Sequence, residues 1–149
     1  MDQQRLINYL NQLLSNQFIM YVKLHRYHWF VKGPHFYERH RLFEVLYDET
    51  AEQLDQVAER ILAINGKPLA TMAKFLKEAT LTEASADDTE AEIMSQLQAD
   101  FESLVQTIKE TGLTLVSREE DEPTTDLLVS LQSTYEKHIW MLKASQSTQ

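Results

Sequence analysis

Cysteine is absent from all 149 residues, which excludes disulfides, thiolate nucleophiles and every thiolate-bound metal site. Any metal this chain holds must be held by nitrogen and oxygen. Glycine and proline occur only three times each, too few for a fold built on tight hairpins, and the abundance of Leu, Glu, Gln, Ala, Lys and Thr favours long helices. No apolar run reaches the roughly 18 residues a membrane-crossing helix needs. Met1–Leu10 also lacks the basic-then-apolar plan of a signal peptide. The expectation is a cytoplasmic, all-α protein with no membrane partner. Basic residues are scarce too: 14 Lys and Arg against 23 Asp and Glu leave a net charge of −9. Such a chain repels nucleic acid and anionic lipid and attracts cations. With 43% apolar residues, 149 positions suit one domain over 1–149.

Apolar residues recur at threes and fours through Leu6, Leu10, Leu13, Phe18, Met20, Tyr21 and Leu24, predicting a first helix over about 3–31, ended by Gly33-Pro34. A second is expected over about 35–65, with Gly66 as a left-handed cap and Pro68 beyond it. Leu69–Lys77 suits a short connecting helix. Past a polar stretch at 80–89, where Asp87 and Asp88 are candidate caps, Ile93, Leu97, Phe101, Leu104, Ile108 and Leu115 predict a third long helix, frayed near Gly112. A fourth starts near Pro123 and carries Leu128, Leu131, Tyr135, Ile139 and Leu142, with residues 145–149 expected to fray. The pattern is a four-helix bundle with a short extra helix between helices 2 and 3.

The second helix carries the chemistry. Between Leu42 and Glu59 stand six acids and no Lys or Arg. At about 100° per residue, Glu44, Asp48, Glu52, Asp55 and Glu59 share one narrow stripe opposite Leu42, Leu46, Val57 and Ile61. Like charges one turn apart cost roughly 0.2–0.5 kcal/mol per pair, so an unbalanced stripe points to a cation. His28 precedes the Gly33-Pro34 turn by about as much as His40 follows it, so a hairpin brings both to one level, with Glu44 one turn further on. Asp55 and Glu59 form a second cluster. Fifteen residues at 1.5 Å each place it about 22 Å from His40. The two clusters can meet across a twofold contact that lays two copies of the helix antiparallel. Imidazole with carboxylate suits Fe(II), Zn(II), Co(II) or Mn(II), and residue type does not choose among them.

Each residue also has a plainer reading. His28, beside Tyr27, Trp29 and Phe30, is more often a satisfied interior histidine than a ligand; His25 and His138 keep that reading. Asp55 and Glu59 alone would be a solvated face. Trp29 and Tyr27 near a redox metal could donate electrons, although helical spacing makes core or interface roles the more ordinary ones. Neither Glu-x-x-His nor His-Glu-x-x-His occurs, which speaks against an intrabundle diiron site and a zinc protease.

The run His28-Trp29-Phe30-Val31-Lys32-Gly33-Pro34-His35-Phe36, with His40, Glu44 and Asp55-Gln56-Val57-Ala58-Glu59-Arg60 after it, closely resembles the Dps family of ferritin-like mini-cages. The resemblance continues through Ala63-Ile64-Asn65-Gly66-Lys67-Pro68 to His138-Ile139-Trp140. It implies a ferritin-like bundle assembled as a dodecamer, with a ferroxidase centre between twofold-related subunits. By resemblance His28 and His40 come from one subunit and Asp55 and Glu59 from the other. Glu44 stands where many relatives carry Asp, so direct ligation and a water-bridged contact both stay open. Trp29 resembles the tryptophan beside that centre, a candidate electron donor. The implied activity is oxidation of Fe(II) to Fe(III), preferentially by hydrogen peroxide, with ferric mineral stored inside.

Family cages admit iron through acidic threefold pores near the start of the last long helix. Glu122 and Asp126 are the candidates here, among Glu119, Glu120 and Asp121, although acids at a helix start also complement its dipole by about 0.3–1 kcal/mol each. Unlike members that bind DNA through mobile basic tails, this chain has one Arg in its first 20 residues and no basic residue after Lys143. Direct DNA binding is therefore not expected, unless a bound divalent cation bridges the two anions; the expected location is the cytoplasm, with nucleoid association left open. The alternative function is a noncatalytic cage with a structural, zinc-type site.

Overall fold

The computed structural model describes residues 2–84 and 89–147, and six α-helices account for most of them. They are α1 (Asp2–Phe30), α2 (Phe36–Ala63), α3 (Met72–Glu78), α4 (Glu90–Thr107), α5 (Leu113–Glu119) and α6 (Glu122–Gln146), with a π-helical turn at Ile108–Gly112 joining α4 to α5. Together α4, the π turn and α5 form the third long helix, so the expected four-helix bundle with α3 in the connection is what is found. Among the described residues, no helix is long and apolar enough to cross a membrane.

Leu10, Leu24, Phe43, Val57, Leu97 and Leu128 are wholly excluded from solvent, one or more from each long helix. Each such side chain contributes about 1.5–3 kcal/mol relative to exposure. Polar groups tie the layers where packing alone would let them slide. Lys23 on α1 reaches Asp100 on α4 at 2.6 Å, both shielded from solvent, and burial pushes the Asp100 carboxyl up despite the adjacent ammonium. Across the bundle centre, Gln17 donates to the Tyr135 hydroxyl, which donates to Gln53 Oε1. Gln53 in turn donates to Glu49, whose carboxylate also meets His138 Nε2 at 2.7 Å.

Three local expectations need correction. Gly112 does not fray the third helix; it lies buried in the π turn, where a Cβ would come within 2.6 Å of the Tyr9 ring. Glycine is there for close packing, and the extra residue of the π turn is absorbed without breaking the helix. Helix α2 is capped by Asn65 at φ 69°, not by Gly66. Gly66 N–H donates to Ile61 O at 2.8 Å and Asn65 N–H to Leu62 O at 3.0 Å, the paired bonds of a Schellman motif. Helix α6 runs to Gln146, so residues 145 and 146 are helical rather than frayed. The cap of α4 is Thr89, accepting from Glu92 N–H; Asp87 and Asp88, together with residues 148–149, lie outside the described residues.

Candidate metal centre

The α1–α2 reversal turns on Gly33, whose φ of 131° a side chain would resist and whose missing Cβ leaves room for the Glu90 carboxylate. Arg39 and His35 both hold that carboxylate, at 3.0 and 3.2 Å, fastening the hairpin to the start of α4. Beneath this latch His28 and His40 stack face to face, centroids 3.6 Å apart and planes 16° from parallel.

Each imidazole is fixed by the other residue's backbone. His28 Nδ1 lies 2.7 Å from His40 O, and His40 Nδ1 lies 2.8 Å from His28 O. A carbonyl oxygen only accepts, so both Nδ1 atoms carry hydrogen and both Nε2 atoms offer a lone pair in the neutral rings. That is the tautomer a metal ligand needs. Glu44 brings Oε1 to 3.9 Å from His28 Nε2. One donor atom from each of His28, His40 and Glu44 lies within 4.8 Å of the other two, the only such triple among the described residues. His28 is buried, His40 half-buried and Glu44 exposed, so the cluster opens outward.

Asp55 and Glu59 do not join it. They are exposed one turn apart in the C-terminal half of α2, with exposed Asp48 and Glu52 on the stripe between. Val22, Trp29, Phe30, Met72 and Leu76, all exposed, line a groove of about 410 Å³ between α1 and α3, with His25 also on its wall. Trp29 is 65% exposed, and its ring meets His25 at 5.6 Å. Tyr27 is buried against Phe43 and donates to Gln96.

Sequence reasoning passed over Tyr47. Its ring meets His28 edge-on at 5.4 Å and stacks on His25 at 3.8 Å. Desolvation, with the carboxylates of Glu44 and Asp48, holds its phenol above the ordinary value. Its offset of seven from His40 and three from Glu44 puts it on their helix face, a signal the sequence carried. His25 is a satisfied histidine, bonded through Nδ1 to Tyr21 O at 2.9 Å. At the start of α6, Asp121 is the cap, accepting from Thr124 N–H and from Arg60 at 3.0 Å. Burial opposes ionisation there, yet the bonds from Thr124 and the Arg60 guanidinium prevail and lower its pKa. Glu122 and Asp126 are left exposed.

The Ferritin-like domain family matches residues 7–147 of this chain. DNA protection during starvation protein 2 of Bacillus anthracis is 39% identical over 141 residues, covering 95% of this chain and 96% of that protein. This chain belongs to the Dps family of ferritin-like proteins. The crystal structure of a Dps protein from Bacillus brevis superimposes with a TM-score of 0.96 at 40% identity, covering 98% of this chain and 97% of that one. A Listeria innocua Dps, solved with two histidines twelve positions apart replaced by glycine, aligns at a TM-score of 0.90 and 35% identity over 93% of this chain and 92% of its own. Dps membership supports iron storage and DNA protection as the broad roles.

Proposed function

We propose that two copies of this chain build a pair of ferrous-oxidising centres, each taking His28, His40 and Glu44 from one subunit and Asp55 and Glu59 from the other. The observation that carries this reading is the division of donors along α2. Three converge near its start, while two more wait about 22 Å further along the same helix, too far to close on the first. An antiparallel twofold contact unites them, and the exposed, mostly apolar groove between α1 and α3 is further surface that assembly can bury. The histidine pair twelve residues apart, the spacing replaced in the Listeria innocua variant, agrees with a role for both rings.

At such a centre two ferrous ions supply the two electrons that hydrogen peroxide needs. With two protons it leaves as two waters, and no hydroxyl radical forms. The nitrogen ligands are neutral and the carboxylates offset the rising charge of iron, which favours the ferric product. Twelve copies form the cage, Glu122 and Asp126 line the pore that admits iron, and the mineral collects within. The net charge of −9 per chain makes protection of DNA indirect, through removal of iron and peroxide, without phosphate binding.

The test loads purified protein with Fe(II) under anaerobic conditions, adds peroxide, and follows iron and protein together through size exclusion. Ferric iron is expected to travel with a particle of about twelve subunits. Iron that precipitates apart from a small species overturns the proposal. A cage that holds zinc tightly and leaves iron unoxidised would favour the structural-site alternative.

A further inference from the structure

The first turn of α2 is held from outside its own helix. Its cap residue, His35, gives the turn no side-chain hydrogen bond, whereas α3, α4 and α6 are capped by their own Thr71, Thr89 and Asp121. What grips the turn is Glu90, from the first turn of α4. One oxygen of its carboxylate meets His35 Nδ1 at 3.2 Å and accepts from Arg39 Nε at 3.0 Å. The other lies against Gly33, where a Cβ would stand 3.0 Å from it. The neighbouring face of the same turn belongs to the histidine pair. Phe36 stacks on His40, centroids 5.1 Å apart, and His40 stacks on His28 at 3.6 Å. Residues 35 and 39, one turn apart, thus face Glu90, while 36 and 40, each one position further on, face the donors.

We propose that Glu90 is a positioning residue for the metal half-site: through Arg39 and His35 it sets where the first turn of α2 stands against α1, and so where the His40 ring meets a metal ion. The inference rests on the reading of His28, His40 and Glu44 as a metal half-site. The crossed bonds between each histidine and the other's carbonyl need the two helix ends in fixed register, because those carbonyls are backbone atoms that move only with their helices. The connection between the helices gives little of that register, since it turns on Gly33 at φ 131° and closes with one bond from Phe36 N–H to Gly33 O at 3.1 Å. A grip at two points from a third helix removes the remaining freedom. The Arg39 and Glu90 side chains are only 17% and 20% exposed, so the pair escapes most of the screening that weakens surface ion pairs. Releasing the grip lets the start of α2 drift and loosens the bond that orients His40. The cost then falls on metal affinity and on the geometry of the donors.

The experiment titrates the purified full chain with Co(II) in the absence of oxygen and reads the affinity, the visible absorption band and the thermal midpoint. Glu90→Ala and Arg39→Met should each weaken Co(II) binding about tenfold and change the band. The double variant should be no worse than either single one, because both remove the same contact. Gly112→Ala, whose methyl group meets Tyr9 near the start of α1, should lower the midpoint with affinity and band as in the parent. Should Glu90→Ala fail to fold, Arg39→Met carries the test, its long unbranched side chain keeping the packing of the arm. A folded Glu90→Ala or Arg39→Met variant with parental affinity and band, however far its midpoint has fallen, overturns the proposal. Losses that add in the double variant, or Gly112→Ala impaired to the same degree, overturn it equally. If Co(II) binding is untouched by replacing His28 and His40 with glycine, the half-site reading itself fails and the positioning role with it.

Discussion

The two ends of α2 carry the same kind of chemistry in opposite states of readiness. At the N-terminal end the donors are set by the chain itself: two imidazoles stacked at 3.6 Å, each tautomer locked by the other's carbonyl, with Glu44 leaning in. At the C-terminal end Asp55 and Glu59 stand in solvent, and among the described residues neither belongs to a group of three or more donors. The cause is what backs each end. His28 on α1 and His40 on α2 face each other, because a tight hairpin converts sequence distance into contact. The carboxylates face outward from the bundle, where only another molecule can reach. On the proposed reading, a folded chain holds one finished half-site and one unfinished one, and assembly is part of the chemistry.

The largest effects should come from removing either half. Replacing His28 and His40 with glycine, or Asp55 and Glu59 with alanine, should lower the initial rate of Fe(II) oxidation by about two orders of magnitude or more. Size exclusion should show the assembly retained in both variants. Normal kinetics in either would remove that half from the centre.

A smaller effect separates structural devices from the site. Gly112→Ala drives a methyl group into Tyr9, an overpacking cost of roughly 1–3 kcal/mol. The thermal midpoint should fall by several degrees while ferrous oxidation by the remaining folded protein stays at the parent rate. An unchanged midpoint would mean that the π turn relaxes freely.

The smallest effect concerns the clasp between Arg60, which follows Glu59, and the start of α6. The Asp121 pKa is lowered in the folded protein. Its contribution to stability is therefore full above the unfolded carboxylate range near pH 4 and is lost as pH falls through the lowered native value. Asn caps helices about as well as Asp, so Asp121→Asn isolates the charge. The variant should unfold with about 1 kcal/mol or less of deficit near neutral pH, and this difference should vanish in acid. A deficit that persists in acid would assign the effect to the cap.

Much of this fold was legible because helical periodicity is strong in Leu-rich, glycine-poor segments, and because Gly33-Pro34 marks a reversal whose arithmetic aligns His28 with His40. The exposure of Asp55 and Glu59 followed from the same period. What escaped was set by contacts between elements. Gly112 reads as a helix breaker until Tyr9 is seen against it, and Asn65 beside Gly66 looks the weaker cap until Gly66 is found pressed on Ile61 and Ile7. The crossed histidine–carbonyl bonds and the Tyr47 stack depend on ring orientation, which spacing alone does not give.

Subunit complementation tests the central claim most directly. A variant lacking His28 and His40 and a variant lacking Asp55 and Glu59 are each expected to be inactive, and they are to be dissociated, mixed in equal amounts and reassembled. In a mixed pair one centre receives intact histidines from one subunit and intact carboxylates from the other, while its twin receives neither. Random pairing should restore about a quarter of the parent's ferrous oxidation. A mixture as inactive as its components, with mixed assemblies demonstrated by mass, would contradict a centre shared between subunits.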